Sequence, residues 1–240
     1  MHLRTPLLFF ALALWCCLLH ALATTTAAGM LGFPVPRQRP LHLRFELAGD
    51  SFQETLNGLN DAKATSGRGL VTTAVGLTDW SEIYARVGLA EFNLRRVGYD
   101  GDFGLAYGGG ARLRLFRLSW GSVGLMGQYM RFQSDDNNNV NREGTWQEVD
   151  VALGLGSRRF GAFQFYGGGA YHQTDMTIRD TSLGTRTNRT NFKSKIPVRA
   201  FVGVHIYPLT DFPGGEFVVN LEARFIGEIP QVTMALQYAF

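Results

Sequence analysis

The stretch "VTMALQYAF", Val232–Phe240, decides how the rest of the chain is read. Val232, Met234, Leu236, Tyr238 and Phe240 fall on one face of an extended strand, and Thr233, Ala235, Gln237 and Ala239 on the other. No polar tail follows Phe240 in the sequence. In a soluble sheet that ring would have to bury itself against a core. The other solution is an outward face that touches lipid.

The same period of two recurs upstream, in "LHLRFELA" (Leu41–Ala48), "GLVTTAVGL" (Gly69–Leu77), "EIYARVGLAEFNL" (Glu82–Leu94) and "FGLAYGGGARLRLF" (Phe103–Phe116). It continues in "SVGLMGQYMRF" (Ser122–Phe132), "WQEVDVALGLG" (Trp146–Gly156), "AFQFYGGGAYHQT" (Ala162–Thr174), "KIPVRAFVGVHIY" (Lys195–Tyr207) and "EFVVNLEARFI" (Glu216–Ile226). With the closing segment these make ten strands. Each has one aliphatic and aromatic face and one face of Gly, Ala and single charged or amide residues. A solvent-exposed sheet face would favour Lys, Glu and Thr over glycine. The pattern predicts an all-β fold, a closed antiparallel transmembrane β-barrel with its apolar band outward and small or polar residues inward. Closure follows from the solvent, because each unpaired backbone group in hydrocarbon costs several kcal/mol.

Composition agrees. Hydrophobic residues make up 45% and charged residues 18%, with 29 glycines and 8 prolines. A formal net charge of +3, without a dense Lys/Arg run, argues against a nucleic-acid partner. Residues 1–23 have a basic start at Arg4, an apolar run and Ala21-Leu22-Ala23, the layout of a cleaved signal peptide, with cleavage as late as residue 28. Both cysteines, Cys16 and Cys17, lie in that leader. No disulfide or thiolate metal site is therefore expected beyond it, and the histidines form no metal-ligand cluster. Residues 24–40 read as a flexible lead-in and 41–240 as the barrel. Connections mostly alternate between long and short, as outer loops and periplasmic turns do, except for a longish inner turn at Pro208–Gly215 and a short outer one at Gly227–Gln231. Ser51-x-x-Glu54 is a capping-box pattern that predicts a short helix in the first long connection, Gly49–Ser66. Trp80, Phe116, Trp120, Phe160, Phe163, Tyr207, Phe212, Phe217, Tyr238 and Phe240 cluster beside the short turns, as an interfacial girdle would.

On "LTDWSEIYARVGLAEFNL" (Leu77–Leu94) and "GDFGLAYGGGARLRL" (Gly101–Leu115) the chain resembles the small outer-membrane β-barrel proteins of Gram-negative bacteria, of the porin-opacity type. The resemblance covers most of the chain from Leu41. It implies an outer-membrane location among lipid and lipopolysaccharide, and assembly through the C-terminal strand, with Tyr238 and Phe240 as the signal for the barrel assembly machinery. Members commonly have eight strands, so eight is the alternative to ten, with Leu41–Ala48 peripheral. No catalytic residue is carried over.

The inward face is predicted to hold Arg44, Glu46, Arg86, Arg112, Arg114, Glu148, Asp150, His172, Lys195, Arg199, Glu222 and Arg224. Buried charges persist when they are paired, so these side chains are expected to meet across a narrow bore and fill it. The expected role is structural or surface-interacting. The first alternative is a small-solute channel with a slight anion preference. The second is a barrel enzyme using Glu148 and His172, placed opposite each other near Thr174, but no serine completes that pair and no enzyme or cofactor is expected. The Asn- and Thr-rich stretches "SDDNNNVNREG" and "RDTSLGTRTNRTN" read as outer loops with unassigned partners.

Overall fold

The computed structural model describes residues 32–36, 40–57, 61–138, 141–181, 188–208, 215–226 and 229–240. Residues 1–23, expected to be a leader, and Phe212 lie outside these. The strands in chain order are β1 (Leu43–Asn57), β2 (Ala62–Thr78), β3 (Ser81–Leu94), β4 (Tyr99–Asp100), β5 (Gly104–Arg117), β6 (Gly121–Asp135), β7 (Arg142–Ser157) and β8 (Phe163–Asp180). Then come β9 (Asn188–Ser194), β10 (Val198–Ile206), β11 (Glu216–Ile226) and β12 (Ile229–Ala239). The two-residue β4 is a spur on β3, and β9 and β10 occupy one wall position, both pairing with β8. The wall is therefore a closed barrel of ten antiparallel strands. Closure is made by β1 against β12, from Arg44 opposite Ala239 to Gly49 opposite Met234. The first predicted segment is thus integral to the wall, which excludes the eight-strand alternative. The backbone amide of Phe240 continues the seam by donating to the carbonyl of Leu43.

The strands are longer than the alternation predicts. β2 has 17 residues and β8 has 18, against the ~9–11 that a tilted strand needs to cross a bilayer. The surplus stands clear of lipid on the side away from the short turns, and there the two faces exchange polarity without losing phase. Along β1 the outward residues run Leu43, Phe45, Leu47 and then Ser51, Gln53, Thr55. The inward ones run Arg44, Glu46, Ala48 and then Phe52, Glu54, Leu56, all buried. Along β7 the outward residues run Glu143, Thr145, Gln147 and then Val149, Val151, Leu153, Leu155. Water outside the upper wall requires a polar exterior and permits an apolar core, as in any soluble sheet. That core is Phe52, Leu56, Phe92, Leu94, Tyr99, Phe132, Trp146, Met176, Ile178 and Phe192 with neighbouring alanines. Ring contacts such as Phe92 on Tyr99 at 4.8 Å hold it together.

Two expectations are corrected here. The capping-box helix does not form: residues 51–57 continue β1, because Phe52, Glu54 and Leu56 have an interior to fill. The predicted strand Lys195–Tyr207 is broken at residues 195–197, where Pro197 has no amide for the ladder. Above the short β11–β12 hairpin, β9 reaches across to β1, pairing Leu56 with Ser194.

Residues 32–36, expected within the flexible lead-in, lie inside the barrel. Phe33 and Val35 are buried with Met126, Ala152, Tyr166, Ala170 and Phe201. Two prolines in five residues reduce the number of amides needing a partner, and the glycine-lined bore leaves room for them.

Candidate functional site

Outside, an apolar belt runs around the wall. Val87, Leu89, Leu105, Val149, Val151, Leu153, Leu155, Val198 and Val202 are all exposed. At the short-turn rim Trp80, Phe116, Trp120, Phe160, Phe163 and Phe240 are exposed as a girdle. Tyr207 is not part of it: it is buried, with its hydroxyl on Gln164 and the Arg159 guanidinium 3.9 Å from its ring centre. The upper boundary falls at Tyr129, followed outward by Arg131, and at Tyr171, followed by Gln173. Tyrosine suits a boundary because one end of the ring is apolar and the other hydrogen-bonds. No helix among the described residues is long and apolar enough to cross a membrane; the strands cross it.

Inside the belt, the register brings most of the predicted inward charges together. The lower cluster centres on Glu82, whose Oε1 receives Arg44 at 2.7 Å and Arg112 at 2.6 Å. Arg44 also meets Glu46 at 3.3 Å, and Gln237 donates to Glu46 at 2.8 Å. Arg86 donates to Gln128 at 2.8 Å, and Gln128 donates in turn to Asp150 at 2.8 Å. Asp150 holds His172 Nδ1 at 2.6 Å, and His172 Nε2 lies 2.7 Å from the Thr174 hydroxyl. Thr174 and Ser194 both donate to Glu54, which pairs with Arg199 at 3.0 Å. Arg68 grips Glu148 with two bonds of 2.7 and 2.8 Å, while the Trp146 indole donates to the same carboxylate. Glu222 takes Arg224 at 2.9 Å and lies 2.9 Å from the Tyr166 hydroxyl.

Two residues of the predicted set stand apart. Arg114 is partly exposed near the inner rim and donates to the Pro36 carbonyl at 3.2 Å. Lys195 is exposed and pairs with Asp61. It sits in the Pro197 break rather than on the inward face. The predicted Glu148–His172 pair is also corrected: the ladder puts Asp150 opposite His172 and Glu148 opposite Thr174. Both imidazole nitrogens are engaged, and His172 is 1% exposed and Thr174 0%. Sequence reasoning missed Glu54, Arg68, Glu82, Tyr84, Gln128 and Asn220 as parts of the network. Glu54 fell in the supposed loop, and Arg68 between it and the strand expected from Gly69. Glu82 was in phase with Tyr84 and Arg86 and could have been included.

At the outer rim a cleft of about 610 Å³ is lined by Asp102, Asp135, Asp136, Asn137, Asn141, Arg142, Glu143, Arg179, Thr181 and Arg189. Asp136 anchors its wall through Arg142 at 2.9 Å. Among the described residues, no group of His, Cys, Asp or Glu is arranged to hold a metal.

Belt, girdle and a polar, closed interior define a transmembrane β-barrel of the bacterial outer membrane. Among solved structures, the translocator domain of the autotransporter NalP from Neisseria meningitidis superposes with a TM-score of 0.51 at 10% identity, covering 85% of this chain and 90% of that one. The outer membrane protease OmpT from Escherichia coli gives 0.43 at 10% identity, over 83% and 94%. The likeness to NalP is one of fold. No protein-family model and no curated protein matches the sequence.

Proposed function

We propose that the protein is a closed, non-conducting outer-membrane barrel with a structural or surface-interaction role. The observation that carries this reading is the filled bore. Between the apolar core above and residues 32–36 below, arginines and carboxylates from non-adjacent strands meet at hydrogen-bond distance. A desolvated pair is held at that distance because separating it leaves an uncompensated buried charge. A channel would instead need those charges lining a continuous wet path. The mixed-charge cleft at the outer rim is the surface through which contacts with lipopolysaccharide or other envelope components are expected. The C-terminal aromatic Phe240, seated on Phe45 at the seam, suits recognition by the assembly machinery. Planar-bilayer recordings on refolded protein test the reading. The expected result is no steady current, and large, steady, ion-selective currents refute it.

A further inference from the structure

The two halves of the bore are closed by different means. The outer half is filled by side chains of the wall itself, which cannot leave. The inner half is filled by Gly32–Pro36, which forms no strand with the wall, beside the Glu82 cluster of wall side chains. The Phe33 ring lies 5.4 Å from Tyr166, edge-on, and 5.1 Å from His205. The amide of Gly32 donates to Glu222 at 2.7 Å, and the Pro36 carbonyl accepts from Arg114. The surface beneath is shaped to this segment. A Cβ on Gly124 would stand 2.2 Å from the Pro34 oxygen, and one on Gly154 2.8 Å from the Pro34 ring. One on Gly156 would stand 2.3 Å from the Phe33 ring. All three glycines face inward from β6 and β7, whose ladder with each other and with β8 is continuous without the segment.

We propose that the inner half of the bore is a binding cradle for an extended, apolar, proline-containing peptide, occupied here by the chain's own Gly32–Pro36 and open to the same chemistry from a second chain. Three features carry this. A segment outside the ladder can leave without breaking the wall. Its polar anchoring rests on side chains, Glu222 and Arg114, which would hold any backbone amide and carbonyl at the same spacing. Its specificity rests on a ring-sized site by Gly156 and a proline-sized one by Gly154, with Gly124 letting the backbone at Pro34 approach β6. A tethered segment competes at an effective concentration on the order of millimolar, so the cradle takes a second peptide only when its own is withdrawn.

The test uses the chain with residues 32–36 deleted, refolded in detergent micelles and checked for folding by heat-modifiable gel mobility. The probe is a fluorescent, acetylated Gly-Phe-Pro-Val-Pro peptide, followed by anisotropy. Saturable binding is expected to the deleted chain, weaker by at least about tenfold to the wild type, as competition from the tethered segment requires. Binding is expected to be lost when the deleted chain also carries Gly156→Leu. A folded deletion chain that ignores the peptide overturns the proposal, as does binding that Gly156→Leu leaves unchanged. Should the deletion fold poorly, Phe33→Ser/Val35→Ser keeps the segment and removes its anchors. With both native cysteines in the leader, an added Ala170→Cys then reports exposure of the cradle to a maleimide. Fast labelling in that variant, suppressed by the peptide, supports the cradle, and labelling as slow as in the Phe33 parent, or unaffected by the peptide, refutes it. Neither readout depends on conductance, so failure here leaves the closed-bore reading standing.

Discussion

Replacing Glu148 with glutamine isolates the contribution of one buried ion pair with almost no change of volume. The Arg68 side chain is 0% exposed and places both terminal nitrogens on the two oxygens of Glu148. In Glu148→Gln one acceptor remains, an NH2 group faces a guanidinium, and the charge of Arg68 loses its counterion. Breaking a buried pair from one side costs about 3–5 kcal/mol. The lower end applies, because Asp50 and Asp150 also act on that guanidinium and the Phe52 ring lies 4.2 Å from its carbon. A loss of about 3 kcal/mol is therefore expected. Urea unfolding in micelles, followed by tryptophan fluorescence, measures it conveniently, since the Trp146 indole donates to the same carboxylate. Arg68→Met/Glu148→Met should be more stable than Arg68→Met or Glu148→Met alone, because a buried pair replaced by apolar residues of similar volume is close to neutral. A Glu148→Gln protein within about 0.5 kcal/mol of wild type would refute the reasoning, since surface pairs behave that way and buried ones do not.

The wall makes further predictions. Leu153→Arg, on the belt, should destabilise by about 2–4 kcal/mol, whereas Gln147→Arg, outward on the same strand but above the belt, should cost little; refolding yield in lipid vesicles compares the two. Arg112→Ala should cost about 3 kcal/mol, the lower end for breaking a buried pair, because Glu82 keeps Arg44, while Arg114→Ala should cost about 0.5–1.5 kcal/mol for one lost hydrogen bond; urea midpoints separate them. Lys195→Ala should stay within about 0.5 kcal/mol of wild type in the same assay, because its pair with Asp61 is exposed.

The belt was legible because lipid forces one polarity on one face, so Val149, Val151, Leu153 and Leu155 announce both strand and orientation. The outer half was not, because water stands on its outer side. In "SFQETLN" the inward residues are Phe52, Glu54 and Leu56 and the outward ones Ser51, Gln53 and Thr55. That is still a period of two, but of the opposite sign. A search for apolar-outward alternation stops at Ala48, and the remainder then passes for a loop with a helix start. β1 and β7 both carry the reversal, at Gly49–Ser51 and between Gln147 and Val149. The change of sign is therefore itself a sequence mark of where the lipid surface lies.

Membership of the interior was legible for a simpler reason than its pairing. Period two alone assigns a residue to a face, so Arg44, Arg112, Asp150 and Arg224 could be listed as inward without knowing the barrel. Partner choice needs the register of every intervening strand. Arg68 meets Glu148 across 80 residues of sequence, and an offset of two residues in one ladder separates the Glu148–His172 pairing read from the sequence from the Asp150–His172 contact observed. The segment at Phe33 has no period at all, since two prolines in five residues exclude a ladder. Its trace lies in the residues that receive it. On the inward face of β7, Trp146, Glu148 and Asp150 give way to Ala152, Gly154 and Gly156, and an interior that loses its side chains toward one end must be filled by something else. The amount removed is informative too: the three glycines that meet Phe33 and Pro34 lie on two adjacent strands. A run of inward glycines on neighbouring strands of a narrow barrel is in this sense a negative of its occupant, and the place to look for the positive is an apolar, proline-bearing stretch outside the strands.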